Sequence, residues 1–251
     1  MTKRLFIAVL LLTLTAAPLA GNNDGIGALQ IEPDAEEIAK SVMQAMGGQE
    51  AWDATRHIAW KFFGGRQHYW DKSTGNIRIE IPASDRGPEI LILMNLDSRT
   101  GRVWTSGMEL IGSPLQEGLE RGWSSWVNDS YWMFMPYKLL DPGVNLRYVG
   151  EDIMADDREA DVLEMTFEGV GVTPDNRYLV YVARDTGLVE QWSYFSTRDE
   201  SEPGFTLPWE NWTSFGSILL STGRGRDEDW DIHVYDELPE ALYSDPDHTL
   251  E

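Results

Sequence analysis

Four polar side chains in or beside aromatic runs are the best candidates in the sequence for acid–base catalysis. Asp129, Tyr131 and Lys138 interrupt one aromatic segment, and His68 lies in an earlier aromatic run. If the fold gathered them at the mouth of a cleft, they would supply acid and base groups for a hydrolase acting on lipid or glycan. Alternatively, the polar residues from Asn128 to Ser130 only break and recap a helix, because asparagine, aspartate and serine prefer helix caps and turns.

Catalytic and metal-binding motifs give no support for an enzyme. The sequence has no Gly-x-Ser-x-Gly elbow, no phosphate-binding Gly-Lys-Ser/Thr loop and no His-Glu-x-x-His pair. It has 0 cysteines, which excludes disulfides, thiolate metal sites and a cysteine nucleophile. The four histidines are far apart in the sequence: His57, His68, His233 and His248. We therefore expect no enzymatic activity and no cofactor.

An acidic run near the end of the chain is the nearest approach to a calcium site. It comprises Asp227, Glu228, Asp229 and Asp231. An EF-hand also needs a glycine at its sixth position and a distal bidentate glutamate, and both are missing here. A solvated turn is the favoured interpretation of this run, so we predict no metal site.

The aromatic segment over 123–140 is the strongest feature of the sequence. With Trp104, it carries more bulk than a close-packed helix interface usually needs, and Met and Trp side chains together form an adaptable apolar surface. We predict that the wall of a ligand cavity includes Trp104, Trp123, Trp126, Tyr131, Trp132, Met133, Phe134, Met135 and Tyr137. The alternative for the same residues is a core helix that covers a sheet.

The elements that would position this segment are mostly strands. An amphipathic helix is predicted first, with Asp34 as its cap, Glu37 three residues later, and Gly47 and Gly48 at its end. From His57 onward the apolar residues alternate and turn residues recur every eight to twelve positions, which is typical of a meandering antiparallel sheet. The predicted strands are His57–Phe63, Arg66–Lys72, Asn76–Ile81, Glu89–Asn95, Arg102–Ser106, Asn145–Glu151, Asp161–Phe167, Arg177–Asp185, Leu188–Ser196, Glu210–Ser221 and Asp231–Tyr235.

A helical stretch interrupts the strands in mid-chain. It opens at Ser113-Pro114, and its apolar residues recur at helical spacing as far as Val127. Proline removes a backbone donor, and with Asn128–Ser130 before it, Pro136 predicts that the segment splits into a covering helix before Asn128 and a second, shorter piece that ends near Leu140. Two pieces joined by a break can part, so we predict that Trp123 to Leu140 forms a lid with its hinge at Asn128–Ser130.

The N-terminus and the charge indicate an exported protein. Lys3 and Arg4 precede an apolar run and a small-residue stretch, which predicts a signal peptide over 1–20, followed by a flexible lead-in over 21–32 and a single domain over 33–251. No later apolar stretch reaches the length that a membrane span needs, so stable membrane insertion is not expected. A formal net charge of -22 disfavours binding to nucleic acid and to anionic membranes.

Several short motifs carry a resemblance to a known group of proteins. They are Ala45–Gly48, Tyr69–Asp71, Leu93–Asn95, Asn128–Trp132, Pro136–Leu139 and Asp141–Val144. With these motifs, most of the chain after residue 20 resembles a group of uncharacterised exported bacterial proteins near the superfamily of the LolA and LolB lipoprotein carriers. The link to LolA and LolB themselves rests on the order of the elements.

What the resemblance implies is a mainly β (α+β) fold: an unclosed antiparallel β-barrel of about ten or eleven strands with helices covering its concave face. It also implies a periplasmic carrier that accepts acyl chains, so the expected partner is a lipid or a lipoprotein acyl chain. An interaction module that binds an envelope protein through sheet edges or aromatic patches is the remaining alternative.

Overall fold

The structure is a computed structural model that describes residues 31–63, 65–85, 87–225 and 230–250. The predicted signal peptide and most of the predicted lead-in lie outside these ranges. The last two lead-in residues are in contact with the fold, because Ile31 forms a parallel β-bridge with Leu146 and the backbone N–H of Glu32 donates to the Leu146 carbonyl at 3.1 Å.

Three α-helices lie within the described residues: α1 (Pro33–Ala45), α2 (Gln49–Ala54) and α3 (Ser113–Phe134). Helix α1 starts with a proline, whose missing N–H would have no helical partner at that position. The prediction that Asp34 caps α1 is wrong, because Glu32 occupies the cap position and makes no side-chain cap hydrogen bond. Asp34 lies in the first turn, where a carboxylate interacts favourably with the positive end of the helix dipole.

Fourteen strands form the rest of the described fold. They are β1 (His57–Phe62), β2 (Arg66–Asp71), β3 (Asn76–Ile81), β4 (Ile90–Asn95), β5 (Gly101–Thr105), β6 (Met108–Glu109), β7 (Val144–Ile153), β8 (Glu159–Phe167), β9 (Arg177–Ala183), β10 (Val189–Phe195), β11 (Phe205–Pro208), β12 (Glu210–Phe215), β13 (Ile218–Gly223) and β14 (His233–Tyr235). The prediction of a mainly β protein is confirmed, with three more strands than the upper predicted number.

The strands form three antiparallel sheets. The seven-stranded sheet has the order β14-β1-β2-β3-β4-β5-β6, the five-stranded sheet has the order β11-β10-β9-β8-β7, and β12 pairs with β13 alone. Both large sheets are open and do not close into a barrel, because their first and last strands are not paired with each other. Most connections join neighbouring strands, as a meander requires.

Two parts of the strand prediction need correction. The stretch Glu210–Ser221 was predicted as one strand but forms the β12–β13 hairpin, which turns at Gly216, where φ is 62°. A glycine adopts this left-handed conformation without steric cost. The short strands β6 and β11 were not predicted, because two and four residues are too few to establish an alternating pattern.

Alternation along β3 shows how the two faces of the seven-stranded sheet are used. Ile77 and Ile79 pack with Leu119 of α3 in one apolar cluster. Arg78, between them, points to the other face and donates hydrogen bonds to the carbonyls of Leu242 and Asp245 in the C-terminal segment. One face of the sheet therefore holds α3, and the other holds the end of the chain.

Helix α3 is continuous, contrary to the predicted break at Asn128–Ser130. It runs through these residues to Phe134, and a 3-10 helix over Met135–Lys138 follows directly. Pro136 is therefore tolerated in the first turn of the next helical piece, and the change of helix type occurs there. No helix within the described ranges combines the length and apolar character needed to cross a membrane.

Candidate functional site

The first half of α3 packs tightly on the seven-stranded sheet. A β-carbon on Gly118 would lie 2.9 Å from Cγ1 of Val103, and one on Gly122 would lie 2.9 Å from Cγ2 of Ile92. These separations are shorter than van der Waals contact, so only glycine permits the observed approach of helix and sheet. This interface leaves no room for a ligand.

The second half of α3 is anchored to β2 by a buried ion pair. Arg66 Nε and one terminal guanidinium nitrogen each donate to Asp129 at 2.6 Å, which makes the contact bidentate. Asp129 Oδ2 also lies 2.8 Å from His68 Nε2, and both of these side chains are 0% exposed. We call the cluster of Arg66, His68 and Asp129 the α3 latch.

Electrostatics in the α3 latch favour an ionised Asp129 and a neutral His68. Burial alone would raise the pKa of Asp129, but the hydrogen bonds from His68 and Arg66 outweigh it, and the net shift is downward. Burial lowers the pKa of His68, and the neighbouring carboxylate offsets this only in part. A neutral imidazole that donates from Nε2 leaves Nδ1 as an acceptor, and Nδ1 is buried without a partner among the described residues.

Aromatic stacking fixes the orientation of the His68 ring in the α3 latch. The ring of His68 lies parallel to that of Trp60, with centroids 4.6 Å apart, and Trp60 meets Phe134 edge-on at 5.0 Å.

The polar residues that suggested a helix break have partners on β2 or within the helix. Ser130 Oγ, for example, donates to the Val127 carbonyl. With its side-chain oxygens used in this way, Asp129 does not compete for the helix backbone.

A cavity of about 200 Å³ lies on the other side of the second half of α3. It opens to the surface between α3 and the loop that joins β8 to β9. Its lining comprises Trp126, Val127, Asn128, Ser130, Tyr131, Trp132, Lys138, Asp141, Pro142, Val144, Phe167, Val170, Gly171, Val172, Thr173 and Tyr178. Most of these side chains are aromatic or aliphatic, and the polar ones are few, which is the usual composition of a small-molecule site.

Aromatic contacts hold the far wall of this cavity. Tyr131 meets Phe167 edge-on at a centroid distance of 5.5 Å, and it lies 6.0 Å from Tyr178. Tyr178 stacks on Trp192 at 5.1 Å, and Trp192 meets Trp132 edge-on at 4.8 Å. Burial raises the pKa of Tyr178 to about 12, so this wall carries no charge at neutral pH.

Three of the predicted cavity residues line this cavity: Trp126, Tyr131 and Trp132. Two others lie elsewhere. Trp123 belongs to the first half of α3 and packs on the apolar cluster of the seven-stranded sheet, under the guanidinium of Arg99. Trp104 follows Val103 on β5, and because Val103 faces α3, alternation turns Trp104 to the opposite face.

The remaining predicted cavity residues belong to the main core: Met133, Phe134, Met135 and Tyr137. Phe134 contacts Trp52, Trp60 and Trp70. Tyr137 stacks on Trp52 at 4.1 Å, and its hydroxyl lies 2.9 Å from the carbonyl oxygens of Met46 and Leu219. Their packing corresponds to the core-helix alternative. Whether any of the nine binds a ligand stays a prediction.

The four polar residues considered for acid–base chemistry are separated by the fold. His68 and Asp129 meet in the α3 latch, whereas Tyr131 donates its hydroxyl to Met165 Sδ at 3.0 Å. Lys138 Nζ lies 2.9 Å from Asp141 Oδ2. Only the His68–Asp129 pair is within hydrogen-bonding distance, and it faces Trp60 and Arg66 instead of the cavity.

In the parts of the chain that the structure describes, no three His, Asp or Glu side chains are arranged to hold a metal ion. Asp227, Glu228 and Asp229 of the acidic run lie outside the described residues. Asp231 is described, and its carboxylate pairs with His233 at 2.9 Å and Lys61 at 3.5 Å.

The cavity wall from the five-stranded sheet was not predicted. Phe167 ends β8, and the loop after it presents Val170 and Val172 between Gly169 and Thr173. Gly169 and Gly171 both have positive φ, at 66° and 79°. The alternation of glycine with valine after a strand was the available signal, but it does not show which helix the valines face.

Comparisons with known proteins give a distant likeness only. No family model and no curated protein matches the sequence. A solved structure of a DUF1329 family protein from Desulfovibrio piger is 15% identical, with a TM-score of 0.44 over 84% of this chain and 97% of that chain. At this level of similarity, function has to be argued from the residues of the chain itself.

Two solved structures of MucB with MucA are also similar. One, of MucB in complex with MucA(peri), is 19% identical and covers 64% of this chain. The other, of the Pseudomonas aeruginosa MucA/MucB complex, is 20% identical and covers 62%. Both have a TM-score of 0.23, and the matches span 49% and 50% of the matched chains.

Proposed function

We propose that this protein is a periplasmic binding or carrier protein for lipid-like apolar ligands, and that the cavity beside the second half of α3 is the binding site. The observation that carries the proposal is the lining of this cavity, in which aromatic and aliphatic side chains from α3 and the β8–β9 region predominate. Burial of an alkyl chain against such a surface is favourable by about 25 cal/mol per Å². The acyl chain of a lipid or of a lipoprotein is the expected ligand.

The fold around the cavity supports the same proposal. A long helix covers an open antiparallel sheet, which is the arrangement expected from the resemblance to the LolA and LolB carriers. The cavity forms where α3 leaves the seven-stranded sheet and approaches the five-stranded one. A volume of about 200 Å³ is the volume that roughly seven water molecules occupy in the liquid, so the cavity has room for part of a medium-length alkyl chain.

The proposal includes no chemistry and no cofactor. The only acid–base pair among the four candidate residues is buried, and Arg66 occupies both carboxylate oxygens of Asp129. A substrate at the cavity would meet the opposite side of the helix. We therefore assign the pair a structural role, which is to fix the face that α3 presents to the cavity.

Ligand entry would involve the β8–β9 loop more than α3. Helix α3 is continuous and is attached to β2 by the α3 latch, whereas residues 171–175 of the loop are exposed. Opening on a timescale of microseconds or slower is typical of such loops. We therefore propose that this loop, and not a hinged α3, would move to admit a ligand.

Tryptophan fluorescence tests the proposal, because Trp126 and Trp132 line the cavity. We expect titration with decanol or decanoate to shift the emission to shorter wavelength and to saturate. Ser130→Leu places a larger side chain in the cavity and should abolish the change. The matched control is Ser124→Leu, on an exposed position of the same helix. If neither ligand changes the emission of the folded protein, the proposal is wrong.

An envelope protein partner is the second proposal, favoured by one separate surface. Met108 and Ile111, at and after the edge strand β6, are 67% and 80% exposed. Apolar side chains beside an unpaired strand edge are suited to pairing with another chain. Replacing both by serine should abolish capture of such a partner while leaving alkyl binding unchanged, which separates the two proposals.

A further inference from the structure

The mouth of the cavity carries a lysine with unused hydrogen-bonding capacity. Lys138 ends the 3-10 helix that follows α3, and its side chain is 20% exposed. Its ammonium group has three N–H donors. Among the described residues it makes one hydrogen bond, to Asp141 Oδ2 at 2.9 Å. The ammonium group is therefore within reach of solvent and can accept a further anionic partner.

Asp141 shows that this position accommodates a carboxylate. Its side chain is 46% exposed and lines the same cavity as Lys138. Because the Asp141 carboxylate is half exposed, water screens this ion pair and it contributes little to stability. A carboxylate on a ligand could therefore replace that of Asp141 at small cost, provided that its alkyl chain enters the cavity.

A second cation, Lys72, interacts electrostatically with Lys138. Lys72 donates to the Trp52 carbonyl, and its ammonium group lies 3.7 Å from the Trp52 ring centroid. Burial lowers the pKa of Lys72 to about 8, and the charge of Lys138 contributes to the same shift. Asp53 opposes it. Most Lys72 side chains thus stay protonated at neutral pH, near Lys138.

The indole of Trp126 supplies an unsatisfied donor in the same wall. Its Nε1 is buried and has no hydrogen-bond partner among the described residues. The Lys138 ammonium group lies 5.9 Å from the centroid of this ring. An unpaired buried N–H is costly, so a ligand oxygen that accepted a hydrogen bond from it would gain binding free energy.

From these observations we infer that the cavity selects amphiphiles with an anionic head, a carboxylate or a phosphate monoester, which pairs with Lys138 in place of Asp141 while the alkyl chain contacts Trp126, Tyr131 and Val172. This inference rests on the proposed function, because it assigns the head group of the ligand that the cavity would hold. It also accounts for a cation at an apolar site in a chain whose net charge is -22.

A series of ligands with the same ten-carbon chain tests the inference. Calorimetric titration of the full folded protein with decanoate, decyl phosphate, decanol and decyltrimethylammonium compares an anionic, a neutral and a cationic head. We expect both anions to bind about tenfold more tightly than decanol, the size expected for a charge-assisted hydrogen bond. The tighter of the two anions identifies the source, a fatty-acid carboxylate or a phosphate.

Variants at the mouth make the test specific. Lys138→Met keeps the apolar stem and should bring decanoate binding down to about the affinity for decanol in the same variant, and Lys138→Arg should retain part of the preference for anions. Asp141→Asn removes the competing carboxylate and should tighten decanoate binding a few-fold. Lys40→Met, on the exposed face of α1, is the control and should behave as the wild type.

The outcomes separate the two claims. If decanol or decyltrimethylammonium binds as tightly as decanoate, or if Lys138→Met leaves anion binding unchanged, the inference is overturned and the proposed cavity function stands. Weaker decanoate binding by Asp141→Asn overturns it as well. If none of the four ligands binds the folded protein, the proposed function itself fails, and the inference fails with it.

Discussion

The two halves of α3 pack differently against the rest of the protein. In the first half, Gly118 and Gly122 bring the backbone against Val103 and Ile92, and no space remains. In the second half, Trp126 and Tyr131 line a cavity that remains between the helix and the β8–β9 region. Small residues allow close packing, whereas rigid aromatic rings hold a gap open. Aromatic residues in a covering helix therefore indicate a binding site only where the facing surface is not complementary.

The largest expected effect on stability comes from the α3 latch, in the second half of the helix. Asp129→Asn keeps the volume but leaves Arg66 without its carboxylate, and breaking a buried pair typically costs about 3–5 kcal/mol. We expect a loss of that order in the free energy of unfolding, measured by urea denaturation. The matched control is Asp141→Asn, in an exposed pair worth less than about 1 kcal/mol. Equal losses for the two variants would show that Asp129 does not anchor α3.

The next effect compares the halves directly, by adding the same side chain to each. Gly122→Leu forces a side chain against Ile92, and overpacking costs about 1–3 kcal/mol. Ser130→Leu, eight residues later, extends into the cavity, so it should lower the free energy of unfolding by less than Gly122→Leu does. Thermal denaturation monitored by circular dichroism measures both. A greater loss for Ser130→Leu than for Gly122→Leu would reverse the contrast between the halves.

The pH dependence of stability gives a smaller effect at the α3 latch. Burial lowers the pKa of His68 in the folded protein, so the unfolded chain binds a proton more readily as the pH falls below about 6.5. The free energy of unfolding should fall there by up to about 1.4 kcal/mol per pH unit for each such histidine. His57, whose pKa burial also lowers, should contribute in the same direction.

Replacing His68 isolates its share of this slope. His68→Gln can still donate to Asp129 but does not titrate, so its free energy of unfolding should fall less between pH 6.5 and pH 5.5 than that of the wild type. Between pH 7.5 and pH 8.5, where His68 is neutral in both states, the two proteins should show parallel curves. Identical slopes in the lower range would contradict a neutral buried His68.

Local sequence patterns predicted much of the sheet. Asn76–Ile81 was predicted with its observed bounds, because the glycine that marks the turn, Gly75, and the alternating isoleucines that mark the strand lie within a few residues of one another. The Glu210–Ser221 error has the opposite cause: the turn at Gly216 interrupts an apolar pattern that continues on both sides. Alternation alone does not distinguish one long strand from a tight hairpin.

The candidate site was harder to predict, because its parts are distant in the sequence. Asn128–Ser130 looked like a helix break since the partners of Asp129, Arg66 and His68, are more than 60 positions away. Phe134 and Tyr137 looked like cavity residues since nothing local shows that Trp52 fills the space beside them. Sequence periodicity identifies an apolar face, but packing decides whether that face is filled.

Photo-crosslinking tests the central claim most directly, namely that an alkyl chain occupies the cavity beside the second half of α3. Decanoate carrying a diazirine near its methyl end would be irradiated with the folded protein, and the labelled peptides would be mapped by mass spectrometry. The account predicts labels within 126–132 and 167–178, removed by excess unlabelled decanoate. Labels confined to exposed apolar residues such as Ile111, or labels that unlabelled decanoate does not reduce, would contradict it.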